Sequence, residues 1–214
     1  MAVGYTDLTG EQIIRKVRRQ NRGTVVKCSL IILAALAFTV GIVWIIREEQ
    51  RYLLGFCGIL LVALVIVWML QSISKALGVL RDVPAAPVFR KFGSPETIAA
   101  RIANGADSPL IPSRTTLVGD SFIMKHGDFE TYIPFESVRL MYRKEHSTNG
   151  IKDSIFLVVY DEFGDSVDYP FKLGKKHADE MRIAAEEIAK HAPDCRFGYT
   201  KENLEWVKSV ARKL

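Results

Sequence analysis

Two long apolar runs dominate the hydrophobic pattern of the chain. They cover residues 28–46 and 52–70, and only the five polar residues 47–51 (REEQR) separate them. Each run is uncharged and about 19 residues long, so as a helix it extends ~28 Å, the thickness of the hydrocarbon core of a bilayer. Core helices of soluble proteins are usually shorter and keep a polar face. The pattern therefore predicts a membrane α-helical hairpin with spans 28–46 and 52–70.

Small residues lie at matching depths in the two predicted spans. They are Ala37 and Gly41 in the first span and Gly55 and Gly58 in the second. Small side chains let two spanning helices approach closely. We therefore predict that the two helices pack against each other at these four positions.

A basic segment, residues 1–24, precedes the first span. Thr9 and Gln12 have the spacing of a capping box, which predicts a helix start. The segment's apolar side consists of Ile13, Ile14 and Val17, and its bases are Arg15, Lys16, Arg18, Arg19 and Arg22. Such a helix can lie at the membrane interface with its bases among anionic headgroups. The alternative is that these charges only set the orientation of the spans.

The distribution of positive charge predicts the orientation of the hairpin. Six Lys/Arg residues lie within residues 15–27 and four more within residues 75–91, whereas the connecting turn holds only Arg47 and Arg51. By the positive-inside rule, both termini then face the cytoplasm. The predicted location is the cell membrane, with two spans in residues 25–83, including a cytoplasmic extension of the second helix.

Residues 84–214 have the pattern of a separate α+β domain. A short helix from Pro95 is followed by six strands with polar turns, at 115–118, 121–125, 129–134, 138–144, 155–160 and 166–171. An amphipathic helix is predicted at 175–191, and Thr200 caps a last helix. This order predicts an antiparallel sheet or barrel covered by a C-terminal helix.

Two segments of this domain resemble bacterial pleckstrin-homology-like (PH-like) domains. Residues 117–124 (LVGDSFIM) look like their first hairpin, and residues 132–138 (YIPFESV) look like their Ile-Pro turn into the next strand. The arrangement also resembles uncharacterised bacterial membrane proteins with two spans and a cytoplasmic PH-like module. Phosphoinositide-binding PH domains cluster Lys/Arg at the first hairpin, whereas residues 119–121 (GDS) have none. The resemblance thus implies a PH-like fold without specific inositol-lipid binding.

The sequence contains no recognisable catalytic or cofactor motif. Phosphate-binding glycine loops, zinc-protease motifs and nucleophile elbows are absent, and neither the four histidines nor the three cysteines have metal-ligand spacing. The net charge of +5 comes from residues 1–83, because residues 84–214 hold nineteen Lys/Arg and nineteen Asp/Glu. A basic nucleic-acid-binding surface is therefore not indicated. We expect no catalytic residues, no metal, no cofactor and no nucleic-acid partner.

One strand offers a candidate interaction surface. Strict alternation along 138–144 places Arg139, Met141 and Arg143 on the face opposite Val138, Leu140 and Tyr142, and we expect the first set on the outside. The function hypothesis is a membrane-tethered, non-enzymatic binding or regulatory module whose partners are the bilayer and another protein. Two alternatives stay open: an accessory subunit of a larger membrane transport or envelope complex, and a membrane enzyme with an unrecognised site. The oligomeric state is not indicated.

Overall fold

The chain forms two compact units. Its structure is a computed structural model that describes residues 5, 7–49, 52–106, 111, 115–149 and 151–213. One unit is Arg15–Ala85, and the other joins Ala86–Leu214 to the N-terminal residues up to Ile14. The N-terminal segment, predicted as a separate region up to residue 24, is thus divided between the two units. Its described residues before Arg15 belong with the α+β domain.

The helical unit contains two long helices, α1 (Gly10–Glu49) and α2 (Tyr52–Arg81). Both are long and apolar enough to cross a membrane, and only 6% and 11% of the residues in their most apolar windows are buried. The expected extension of the second helix beyond residue 70 is confirmed. Residues 50 and 51, which belong to the predicted turn, lie outside the described residues, so the hairpin stays a prediction.

The small residues in these helices differ in their surroundings. A Cβ atom placed on Gly58 would lie 3.1 Å from Cδ1 of Ile42, so the glycine allows a close contact with α1. A Cβ atom on Gly41 would meet nothing within 4 Å, and Ala37 is exposed. The structure therefore does not place Ala37 or Gly41 at a close approach of the helices. The surroundings of Gly55 lie outside what the structure describes.

The start of α1 shows the predicted cap but not the predicted apolar membrane face. The Thr9 N–H donates to Gln12 Oε1 at 3.4 Å, and the Gln12 N–H donates to Thr9 Oγ1 at 3.3 Å, which confirms the capping box. Ile13 and Val17 are completely buried within the protein, and Ile14 is half-buried. Because Ile13 and Val17 are packed inside the protein, the prediction that these two side chains face the membrane is corrected. The membrane role of the five bases stays a prediction.

Tyr5 attaches the N-terminal segment to the α+β domain. Its hydroxyl oxygen accepts a hydrogen bond from the Gly127 N–H at 3.0 Å and lies 3.0 Å from Nδ1 of His126. Its ring packs edge-on against Phe129. Because the ring is buried, the pKa of Tyr5 is raised, although its bond with Gly127 opposes the shift. The N-terminal residues therefore contribute to the core of this domain.

The α+β domain begins with two short helices and a three-stranded sheet. The helices are α3 (Pro87–Phe92) and α4 (Pro95–Ala106). The Ser94 hydroxyl accepts a hydrogen bond from the Thr97 N–H and so caps the start of α4. The antiparallel strands β1 (Thr116–Val118), β2 (Phe122–Lys125) and β3 (Asp128–Pro134) follow in the order β1-β2-β3.

A second sheet and two helices complete the domain. Its strands are β4 (Val138–Thr148), β5 (Ile151–Asp161), β6 (Ser166–Phe171) and β7 (Arg196–Phe197), in the order β6-β5-β4-β7. Strands β4, β5 and β6 are antiparallel neighbours, whereas β7 runs parallel to β4. The helices are α5 (Lys175–His191) and α6 (Lys201–Val210), and the latter has the predicted Thr200 cap.

Both sheets and α5 share one hydrophobic core. It includes Ile123 and Ile133 from the first sheet, Leu157 and Val159 from the second, and Ile188 from α5. The fully buried Tyr169 in β6 donates its hydroxyl to the Thr131 carbonyl oxygen in β3 at 2.6 Å. The structure thus confirms an α+β domain with sheets and a C-terminal helix.

Candidate interaction site

The predicted outer face of β4 is interrupted by a β-bulge. Val138 pairs with Asp161 and Leu140 pairs with Tyr160, so Arg139 is an extra residue without an opposite partner on β5. A bulge of this kind shifts the alternation of the side chains that follow it. Met141 is consequently 1% exposed and belongs to the hydrophobic core. The prediction that Met141 lies on an outer face with the two arginines was wrong.

Arg139 is half-buried and bonded within its own domain. Its guanidinium donates to the carbonyl oxygens of Glu136 and Val138 at 2.9 and 3.2 Å. It also forms an ion pair with the Glu162 carboxylate at 3.3 Å. The same carboxylate pairs with Arg212 at 2.9 Å. These contacts assign Arg139 a role in connecting β4 to the β5–β6 turn rather than in presenting a free charge.

Arg143 is the member of the predicted set that remains at the surface. About half of its side chain is exposed, and its guanidinium pairs with Glu145, which also pairs with Lys152. Arg143 borders an open groove of about 490 Å³ between β4, α5 and β7. The groove walls include Leu157, Met181 and Phe197, with Arg182 beside them. An apolar floor with arginines at its rim is suited to binding another molecule through both packing and polar contacts.

A second open groove, of about 360 Å³, lies beside Tyr142, Arg143, Lys144 and Tyr199. The rings of Tyr142 and Tyr199 are 4.8 Å apart. Desolvation by burial, strengthened by the neighbouring Tyr160, raises the pKa of Tyr142 to about 12, so this phenol is neutral at physiological pH. Lys144 is held by Asp168 at 2.8 Å. This groove offers aromatic rings and phenolic hydroxyls to a ligand.

Exposed aromatic side chains mark the two grooves. Phe197 is 56% exposed and Tyr199 is 66% exposed, and Gly198 between them adopts φ = +93°. Large aromatic rings are enriched in protein interfaces because they provide extensive contact area. Sequence patterning missed this pair, because the two residues of β7 are too few to give a periodic signal. The sequence signal that could have indicated this exposed aromatic pair is the glycine between two aromatic residues in segment 196–199 (RFGY).

Potential metal ligands do not cluster in the described part of the chain. Among these residues, no three His, Cys, Asp or Glu side chains converge as a metal site. Burial raises the pKa of the Cys195 thiol to about 12, against smaller opposing effects of Met141 and Arg139, so the thiolate nucleophile is suppressed. His146 pairs with Asp153 at the exposed end of the β4–β5 hairpin.

Comparisons with known proteins assign no family to this chain, because it matches no family model, no curated protein and no solved structure. The resemblance to PH-like domains therefore stays a prediction from the motifs in residues 117–138. The two grooves at β4 are the basis for the functional proposal.

Proposed function

We propose that this chain is a membrane-tethered binding module, in which two membrane-spanning helices hold a PH-like cytoplasmic domain that recognises another protein. The observation that carries this proposal is the pair of grooves on β4, bordered by the exposed Phe197 and Tyr199. An apolar floor beside exposed aromatic rings and arginines has the composition of an interface centre.

Membrane anchoring is supported by the exposure of apolar side chains on α1 and α2. Leu33, Phe38 and Val40 on α1, and Phe56 and Leu61 on α2, are each more than 60% exposed. A water-soluble protein rarely exposes an apolar surface of this extent. The bases that flank the helices favour cytoplasmic termini. The hairpin connection and this orientation are parts of the proposal.

Cysteine accessibility in intact cells tests the orientation. In a background with Cys28, Cys57 and Cys195 replaced by alanine, we expect Gln50→Cys to react with a membrane-impermeant maleimide. Ser147→Cys, at an exposed position of β4, should react only after the membrane is permeabilised. The opposite labelling pattern would place the domain outside the cell and contradict the proposal.

Site-specific photocrosslinking tests the binding role. We expect a benzophenone amino acid at Phe197 or Tyr199 to form a discrete adduct with one protein in the membranes of the native host. The matched control is Leu173, which is 43% exposed and follows β6 on the other edge of the sheet. An adduct at Leu173 of the same size, or none at Phe197 and Tyr199, would argue against these grooves as the binding site.

A further inference from the structure

Strand β4 has a long unpaired edge. On one side it pairs with β5 over most of its length. On the other side β7 pairs with it only at Leu140 and Met141. Within the described part of the chain, no other strand pairs with this edge, which continues from residue 142 to residue 148. A strand added there would continue the position that β7 occupies.

The direction of the backbone groups along this edge follows from one hydrogen bond. The Gly198 N–H donates to the Met141 carbonyl oxygen at 3.0 Å, so the peptide groups of Met141 point away from β5. Successive residues of a strand direct their N–H and C=O groups to opposite sides. Arg143 and Glu145 therefore present donors and acceptors at the open edge, whereas those of Tyr142 and Lys144 pair with β5.

The two grooves lie on opposite sides of this same edge. Met141 and Leu157 line the groove on the α5 side, and Phe197 stands at its end. Tyr142, Lys144 and Tyr199 line the groove on the other side. The side chains of a strand alternate between the faces of its sheet with a period of two. A strand added beside Arg143 would place alternate side chains into the two grooves.

We propose that the binding partner adds an extended segment to the open edge of β4, with an apolar side chain at alternate positions. This inference rests on the proposed binding function and specifies its ligand. Backbone hydrogen bonds from Arg143 and Glu145 hold the segment, and apolar residues facing α5 contact Met141, Leu157 and Met181. Peptide recognition by strand addition combines these two elements, main-chain bonds and pockets for alternate side chains.

The charges on this edge explain why association would be selective. Natural proteins protect open edges with charged side chains, and Arg143, Lys144 and Glu145 serve this purpose here. Each of them already has an ion-pair partner within the domain. A ligand segment with charged side chains would form few new ion pairs at this edge, because the charges of β4 are already paired. An apolar side chain of the ligand, by contrast, can reach the groove floor between these ion pairs. The favoured ligand is therefore an extended, apolar-alternating segment rather than a strongly acidic one.

Peptide selection with a backbone-specific variant tests this inference. The probe is a phage-displayed library of random ten-residue peptides, panned against the full chain in lipid nanodiscs. We expect enriched peptides with apolar residues at every second position.

Arg143→Pro removes the outward N–H while sparing the bonds to β5, and should weaken binding of an enriched peptide at least tenfold. Arg143→Ala keeps the N–H and should weaken it less than threefold.

Hydrogen exchange gives the same answer without a substitution. The amides of Arg143 and Glu145 should exchange rapidly in the free chain and become protected with an enriched peptide bound, whereas those of Tyr142 and Lys144 are protected throughout. If Arg143→Pro fails to fold, these exchange rates still test whether the peptide binds by strand addition to β4. Any one of three results would overturn strand addition. These are a library that yields no enriched peptide, enriched peptides that carry their apolar residues at helical spacing, and an exchange rate of the Arg143 amide that does not change when a peptide binds. A crosslinked partner at Phe197 would still support the binding function, so the two failures are distinguishable.

Discussion

Replacing Lys91 with methionine will lower the free energy of unfolding of the α+β domain by about 3 kcal/mol, because it leaves a buried carboxylate without its ion-pair partner. The Lys91 Nζ atom lies 2.7 Å from Asp161 Oδ2, and the two side chains are 7% and 3% exposed. Burial favours the neutral lysine, but bonds to Asp161 and Asp165 outweigh it and raise the pKa of Lys91. Asp161 also accepts the N–H groups of Phe163 and Asp165, which fix its carboxylate in place.

Thiol labelling of Cys195 measures this change in the full chain. Cys195 is 8% exposed, so it reacts only when the domain opens, and its labelling rate in increasing denaturant reports the free energy of opening. Lys190→Met is the matched control, because Lys190 pairs with Glu187 at the surface with 68% of its side chain exposed. Surface pairs contribute little, so the control should change stability by less than about 0.5 kcal/mol. Equal effects of the two substitutions would show that the Lys91–Asp161 pair has no special role.

The elements of this domain that sequence patterning predicted are those specified by local signals. Helix α5 was predicted at 175–191 and is found there, because its apolar stripe and the proline after it both lie in the local sequence. The Thr200 cap is equally local, since the hydroxyl bonds an amide only three residues away. Strand β6 was likewise bounded by turn residues and agrees with the structure.

The features that patterning missed depend on contacts between distant segments. The bulge at Arg139 arises from the register of β4 against β5, which alternation within β4 does not encode. Its consequence is that Met141 enters the core. Arg143 lies on the same face two residues further along β4, where the side chain reaches the surface. The binding of Tyr5 at Gly127 and the ion pair of Lys91 with Asp161 join residues far apart in the chain. Such pairings need a three-dimensional structure before they can be seen.

The candidate site was found only in part for the same reason. Patterning predicted that Arg143 lies at the surface of β4, and about half of its side chain is exposed there. The groove beside Arg143 exists because α5 and β7 both pack near β4, and neither contact follows from periodicity. Phe197 and Tyr199 gain their importance from their position at the end of the open edge.

Gly119→Ala is expected to destabilise the domain by about 2 kcal/mol, because the new methyl group would overlap a buried aromatic ring. The turn residue Gly119 donates its N–H to the Phe122 carbonyl oxygen at 2.9 Å, which brings its α-carbon over the Phe122 ring. A Cβ atom there would lie 2.8 Å from Cζ and 2.9 Å from Cδ1 of that ring. Phe122 is completely buried, and its ring packs against Tyr132 at 5.5 Å, so it has little room to move. The glycine is thus required by close approach rather than by an unusual backbone angle.

A double-mutant cycle separates this steric effect from any effect on the turn itself. Phe122→Leu shortens the side chain and removes the ring atoms nearest to the added methyl group, at a stability cost of its own. In the Phe122→Leu background, Gly119→Ala should therefore cost less than half of what it costs in the natural chain, as measured by Cys195 labelling. If the cost is the same in both backgrounds, the Phe122 ring does not cause it, and the steric explanation is wrong.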